Sequence, residues 1–153
     1  MQVFVWGYNH WGQLGFGDEA LYKMITDPTE LIAPDGTTWA QIVCGVHNTA
    51  AVSNNGEVFT WGSGIGGNLG HGDLDERAVP TKALPTKVKI PGGEAVVKVA
   101  CGTGHTAAVT STGKLFIWYV SCYHAFLVST YQYLSHNTPL KGRGWGSCSW
   151  IWP

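Results

Sequence analysis

Charged side chains are scarce in this sequence: they make up 12% of its 153 residues, and the formal net charge is −1. Such a balance gives no electrostatic footprint for nucleic acid or for an anionic membrane surface, so charge implies neither partner. Cysteine is also sparse, with four residues and no Cys-x-x-Cys spacing. This pattern argues against the disulfide framework of a small secreted domain and favours a reducing compartment.

The N-terminal segment MQVFVWGYNHWG lacks the basic and apolar regions of a signal peptide, so we expect a cytoplasmic or nuclear protein. Glycine and tryptophan are abundant instead, with 21 and 8 residues. Tight turns use glycine and short strands use aromatic residues, so this composition predicts an all-β fold. The length is that of one domain.

An internal repeat organises most of the chain. Val3–Asp18 matches Val58–Asp73 at a spacing of 55 residues, and Val43–Trp61 matches Ala100–Trp118 at a spacing of 57. Each period contains TAAV, a turn with glycine, and EVFTW or KLFIW, which predicts a β-hairpin. Because one small sheet cannot cover both of its own faces, such units are expected to stack on one another.

The segments VFTWG, GNLGHGD and VACGTGHTAAVTSTGKLFIW resemble the repeat of the regulator of chromosome condensation (RCC1-type) family. Members of that family form seven-bladed propellers of four-stranded blades. The resemblance implies a partial β-propeller of about two and a half blades over residues 1–118, with an irregular tail at 119–153. Two positions depart from the pattern: Asn48 stands where the next copy has His105, and Tyr119 stands where glycine is expected.

Residues at equivalent positions of the copies are predicted to be structural, with the tryptophans as anchors between blades. They are Trp6, Gly7, Gly12, Leu14, Gly15, Gly17, Asp18, Trp61, Gly62, Gly67, Leu69, Gly70, Gly72, Asp73, Cys44, Gly45, Cys101, Gly102, His105 and Trp118.

The run GSGIGGNLGHG fits G-x-G-x-x-G after a strand, half of a dinucleotide-binding fingerprint. In the other copy Asn9 replaces Gly64, and asparagine shares with glycine a tolerance for left-handed backbone. We therefore interpret this position as a turn that needs that conformation, and we predict no cofactor. No helix is expected to follow, because Pro80 and Pro85 interrupt the next segment.

No catalytic or metal site is predicted. The pairs Cys44 with His47 and Cys101 with His105 could each reach a zinc ion, but their equivalent places in successive repeats favour packing. We expect His105 and Thr106 to form a buried polar pair rather than a catalytic base. Some plant relatives of the family sense UV-B with tryptophans in the CGxxHT segment, where this sequence has Val46 and Thr103.

The tail 119–153 shows neither the repeat nor a sustained periodicity. Leu115–Leu134 contains no charged residue and has the length of a membrane span, although its first residues belong to the repeat. Two alternatives remain: the tail covers the open edge of the last blade, or it is a terminus unrelated to the fold, such as an alternative exon.

Function is expected to lie in the loops between repeated residues. We predict a non-enzymatic interaction scaffold whose loops Tyr8–Trp11, Leu21–Asp35 and Asp73–Pro85 bind a protein partner. Further blades or other chains would be needed to complete a ring. The alternative, implied by the resemblance, is an exchange factor or regulator for a small GTPase like Ran. The candidate contact residues are Asn9, His10, Trp11, Asp75, Glu76 and Arg77.

Overall fold

The structure is a computed structural model that describes residues 2–72, 81–119 and the strand backbone of 129–132. No α-helix occurs in these ranges, and none of their helical turns is long and apolar enough to cross a membrane. The strands are β1 Phe4–Asn9, β2 Lys23–Glu30, β3 Trp39–Cys44, β4 Asn48–Ser53, β5 Val58–Ser63, β6 Thr81–Val88, β7 Val96–Cys101, β8 His105–Thr110, β9 Lys114–Tyr119 and β10 Ser129–Gln132. Short 3-10 turns lie at Asp18–Ala20, Pro34–Gly36, Ile65–Gly67 and Pro91–Gly93.

Three antiparallel sheets follow one another along the chain. Blade 1 contains β1 and β2, blade 2 contains β3 to β6 in order, and blade 3 contains β7 to β10 in order. The repeat spacing equates β1 and β2 with β5 and β6, the last two strands of blade 2, so blade 1 is half a blade. The predicted all-β partial propeller of about two and a half blades is confirmed.

Blade 2 shows why the units must stack. Every residue of β4 and β5 is buried, which requires cover on both faces of the sheet. On one side Ala51 and Phe59 belong to a core that includes Val5 of blade 1. On the other side Val52 joins a core that includes Phe116 of blade 3. The core therefore lies between blades rather than within any one of them.

In blades 2 and 3, a tryptophan packs on a glycine of the preceding blade. Trp61 is 1% exposed, and its indole Nε1 donates to the Gln13 carbonyl at 2.9 Å. A Cβ at Gly15 would lie 3.1 Å from that Nε1. Trp118 repeats the contact, since a Cβ at Gly70 would come within 2.7 Å of its ring. Only glycine permits this approach, and both glycines have positive φ, 82° and 78°.

Trp6, the third tryptophan expected to anchor a blade, is placed differently. Its side chain is 59% exposed, whereas Trp61 and Trp118 are 1% and 5% exposed. No blade precedes blade 1 in the described chain, so Trp6 has no glycine loop on which to pack. Blade 1 thus has tryptophan at the repeated position, but this tryptophan lacks the buried contact that Trp61 and Trp118 make.

The interpretation of Asn9 and Gly64 as left-handed turn positions is wrong. Gly64 has φ −100°, and in the described part of the chain the non-glycine residues with positive φ are Tyr22 and Asp35. Asn9 shapes its turn with its side chain instead: Nδ2 donates to the Ala20 carbonyl at 2.9 Å, and Oδ1 accepts from the Leu14 amide at 2.8 Å. The left-handed conformations of that region fall on glycines such as Gly12 and Gly66.

One segment of the tail joins blade 3. β10 pairs with β9, with Ser129 opposite Ile117 and Gln132 opposite Lys114. This is the place that β6 takes beside β5 in blade 2, and it is where a tail covering the blade edge would lie. Residues 120–128 and 133–153 lie outside the described residues. The membrane-span and alternative-exon interpretations of the tail fall mostly there.

The contact between Gly70 and Trp118 leads to a prediction about stability. Gly70→Ala should lower the free energy of unfolding by about 1–3 kcal/mol beyond the cost of the backbone conformation, because the new methyl overlaps the indole. Gly72→Ala is the matched control, since Gly72 has the same φ of 78° with no atom within 4 Å of an added Cβ. Urea denaturation measures both variants. Equal losses in the two would show that the indole contact contributes nothing.

Candidate functional site

Two of the three loops predicted to bind a partner meet on the surface of blade 1. The His10 ring stacks on Tyr8 with centroids 5.5 Å apart and an interplanar angle of 9°. It contacts Trp11 edge-on at 5.0 Å and Tyr22 edge-on at 4.5 Å. Tyr22 belongs to the second predicted loop, Leu21–Asp35, so the structure brings its start together with Tyr8–Trp11. The prediction of a loop is wrong for most of Leu21–Asp35, because Lys23–Glu30 forms β2 and pairs with β1. We call Tyr8, His10, Trp11 and Tyr22 the aromatic loop cluster.

The backbone beneath the cluster is held by Asn9, the last residue of β1. Its carbonyl accepts hydrogen bonds from the amides of Gly12 and Tyr22, each at 3.2 Å. Tyr22 has φ 61°, a left-handed conformation that is costly for a non-glycine residue and that aims its ring at His10. Asn9 was predicted as a contact residue, but it is 0% exposed and cannot touch a partner. Its role is to position the cluster.

The cluster has exposed apolar rings, and the segment that carries it is acidic. Tyr8 and Tyr22 are 53% and 69% exposed, and Met24 beside Tyr8 is 65% exposed. Residues 2–38 contain five acidic residues against the single base Lys23, a formal charge of −4. Contiguous apolar patches on the surface of a folded protein commonly mark interaction sites, and aromatic residues are enriched in protein interfaces. Blade 1 therefore offers a surface suited to a macromolecular partner.

A tryptophan–histidine contact connects the cluster to blade 2. Trp11 lies 6.4 Å from the ring of His47, measured between centroids. His47 was considered as a zinc ligand beside Cys44, but its ring faces the cluster. Among the described residues, no group of three or more His, Cys, Asp or Glu side chains could hold a metal ion.

The segments that begin with Cys44-Gly45 in blade 2 and Cys101-Gly102 in blade 3 contact each other across the two blades. A Cβ at Gly45 would lie 2.5 Å from the carbonyl oxygen of Gly102 in the next blade. Asn48, the residue in the His105 position, donates from Nδ2 to Thr106 Oγ1 at 3.1 Å. Thr106 is 0% exposed, so this bond joins the two blades in a buried place. The departure from histidine thus has a structural role.

Cys44 is exposed, so the expectation that it packs is wrong, whereas Cys101 is partly buried and unsuited to thiolate chemistry at neutral pH. Burial is the main cause that raises the pKa of the Cys101 thiol to about 11, and the nearby Cys44 adds to the rise. A thiol with such a pKa stays protonated, and the protonated form is neither a nucleophile nor a good metal ligand.

Carboxylates at the groove between blades 2 and 3 are held in ion pairs. The groove has a volume of about 440 Å³ and is lined by Glu57, Lys87 and Glu94. Lys87 Nζ lies 2.5 Å from Glu57 Oε1, and Lys114 pairs with Glu94. The hydrogen bond from Lys114, with a second from Thr112, lowers the pKa of Glu94 to about 2. A carboxyl group with this pKa is a poor proton donor or acceptor near neutrality.

The glycine run that resembles a phosphate loop is used for close backbone packing. A Cβ at Gly62 would lie 2.4 Å from the carbonyl oxygen of His47, the residue directly before the paired strand β4. The loop then folds back so that Thr60 Oγ1 donates to the Leu69 carbonyl at 2.7 Å. The third predicted loop, with Asp73, Asp75, Glu76 and Arg77, lies outside the described residues except for its last part in β6.

The aromatic loop cluster was only partly visible in the sequence. His10 and Trp11 were predicted as contact residues, but Tyr22 was not singled out. A single tyrosine directly before a strand carries little signal in the sequence, and its role appears only in the structure, where its left-handed backbone turns the ring toward His10.

The chain belongs to the regulator of chromosome condensation (RCC1) repeat family. The family model matches residues 2–52 and 55–109, which confirms the resemblance seen in the repeats.

Relatives and solved structures share this region. The chain is 38% identical over 117 residues to the ultraviolet-B receptor UVR8 of Arabidopsis thaliana, covering 76% of the chain and 25% of UVR8. It is 35% identical over 123 residues to the human E3 ubiquitin-protein ligase HERC2, covering 76% of the chain and 2% of HERC2. The crystal structure of yeast RCC1 (Prp20) bound to Kap60 matches with TM-score 0.65 and 25% identity, over 77% of this chain and 28% of that one.

A second structure is that of Prp20p from Saccharomyces cerevisiae, described with its binding properties to Gsp1p and histones. It matches with TM-score 0.60 and 26% identity, over 77% of this chain and 29% of that one. The chain thus spans about a quarter of UVR8 and of Prp20 and a far smaller part of HERC2. Together the relatives support a role in protein interaction or regulation.

The buried side chain of Asn9 gives a prediction about the cluster's support. Asn9→Ala should lower the free energy of unfolding by about 1–3 kcal/mol, because it removes two side-chain hydrogen bonds and leaves two partly buried partners unsatisfied. Asn54→Ala is the control, since Asn54 makes one exposed side-chain bond to Thr38. Urea denaturation of both variants measures the difference. An equal loss in the Asn54 variant would contradict this role.

Proposed function

We propose that the chain is a non-enzymatic interaction module that binds a protein partner through the aromatic loop cluster. The observation that carries the proposal is that repeated and non-repeated positions make different contacts. Residues that recur, such as Trp61 and Gly15, are buried in contacts between blades. The aromatic residues of the cluster do not recur: Tyr8 and His10 correspond to Ser63 and Ile65 in the next copy.

The chemistry of the cluster supports protein binding over small-molecule binding. Tyrosine, tryptophan and histidine present an apolar ring with a polar edge. Such side chains suit a surface that contacts water in the free protein and a partner in the complex. The rings already contact one another, and Tyr8 Oη and His10 Nδ1 are 3.0 Å apart. Such mutual contacts reduce the side-chain entropy that binding would otherwise cost.

The proposal predicts selective loss of a partner. The purified chain immobilised on a resin should retain a set of proteins from cell extract, and the Tyr8→Ser/Tyr22→Ser variant should lose members of that set. Leu84→Ser is the matched control, because Leu84 is similarly exposed at 56% but lies in β6 of blade 2. Identical sets from the three baits, identified by mass spectrometry, would contradict the proposal.

A second candidate is a regulator or exchange factor for a small GTPase like Ran. Its support is the similarity to Prp20, whose structure is described together with binding to Gsp1p. The shared region covers 29% of Prp20, which weighs against exchange activity in this chain by itself. Nucleotide release from purified Ran separates the candidates, and a rate equal to that in buffer would remove this one. A cytoplasmic or nuclear location fits both.

A further inference from the structure

The open face of β1 repeats a surface that is buried elsewhere in the chain. Phe4 and Trp6 lie on one face of β1 and are 50% and 59% exposed. The spacing of 55 residues equates them with Phe59 and Trp61 of β5, which are 5% and 1% exposed. Phe4 and Trp6 are therefore of the residue types that pack between blades, but no described residue covers them.

The contact made by the equivalent face of blade 3 shows what covers such a surface. Phe116 and Ala108 are equivalent to Phe59 and Ala51 at the spacing of 57. They pack with residues on the far face of blade 2, which are Ala50, Val52 and Val58. A face of the Phe4 type thus packs on the opposite face of a neighbouring blade.

Blade 3 presents that opposite face without a described neighbour. Ala107, Val109 and Leu115 are the equivalents of Ala50, Val52 and Val58. The blade 2 residues are at most 2% exposed, whereas those of blade 3 are half-buried. The two ends of the described chain therefore carry the two halves of one kind of interface.

Charge also complements between the ends. Residues 2–38, which include blade 1, carry a formal charge of −4. Blade 3 and the turn before it, residues 91–119, contain Lys98, Lys114 and Glu94, a formal charge of +1. Lys98 stands on blade 3 in the place of Gln41, whose side chain crosses to the Val99 backbone of the next blade with bonds of 3.2 and 3.0 Å. Opposite charges at the two ends favour their encounter and orient it.

We infer that the β1 face of one chain docks on blade 3 of a second copy, head to tail. The interface is heterologous, because the two copies contribute different surfaces. Phe4 and Trp6 pack against Ala107, Val109 and Leu115 of the partner copy, and the acidic blade 1 faces blade 3, whose formal charge is +1. This contact uses the repeated positions of β1, while the aromatic loop cluster uses positions that do not repeat.

Sedimentation velocity over a range of protein concentrations tests the inference. The wild-type chain should show species larger than the monomer that grow with concentration, and added salt should weaken them because the ends carry opposite charge. The Phe4→Ser/Trp6→Ser variant should remain monomeric. Leu84→Ser, which removes an apolar side chain of similar exposure away from both faces, should associate like the wild type.

A mixing experiment tests the head-to-tail geometry. Val109→Ser alters only the blade 3 face and should also give a monomer. Mixed with Phe4→Ser/Trp6→Ser, it should form a one-to-one heterodimer, since each variant keeps one intact face that matches the other. Far-UV circular dichroism verifies that both variants fold. A monomeric wild type, an associating Phe4→Ser/Trp6→Ser variant or a mixture of monomers would each overturn the inference.

Discussion

Packing of a tryptophan ring on a glycine of the preceding blade is the contact on which the rest of this structure depends. Each sheet has two apolar faces, and a sheet of four short strands cannot cover either by itself. The indoles of Trp61 and Trp118 set the distance between blades, and Gly15 and Gly70 allow that distance because they have no Cβ. The hydrophobic cores then form between the sheets, where Val52 and Phe116 share one cluster. Stability is therefore a property of neighbouring blades and not of a single one.

This arrangement separates structural residues from residues free to bind. Glycines and tryptophans at repeated positions meet the constraint of stacking, and buried polar groups such as Asn48 and Thr106 connect blades by hydrogen bonds. Loop positions other than these glycines carry no such constraint, so their side chains can vary. In blade 1 that freedom is used for a set of mutually contacting aromatic rings supported from below by Asn9. The positions that vary and the positions that repeat thus serve different contacts.

The sequence was sufficient for the repeated hairpins and for many glycine positions, because both follow local rules, but it placed β2 in a predicted loop. Alternation and repetition predicted the hairpin of β4 and β5, and the positive φ of Gly15 and Gly70 follows from their turns. Three features could not be read in the same way. The burial of Asn9 depends on hydrogen-bond partners 5 and 11 residues away, and the Asn48–Thr106 bond spans 58 residues. The exposure of Trp6 depends on what lies beside it, which residue type alone does not determine.

Amide hydrogen exchange tests most directly the claim that each blade is stabilised by its neighbours. At low protein concentration, exchange should be slowest in β4 and β5, whose residues are buried on both faces. It should be much faster in β1 and β2, although these strands are joined by the same kind of antiparallel ladder. Protection of β1 equal to that of β5 would show that pairing within the sheet suffices, and it would contradict the dependence on stacking.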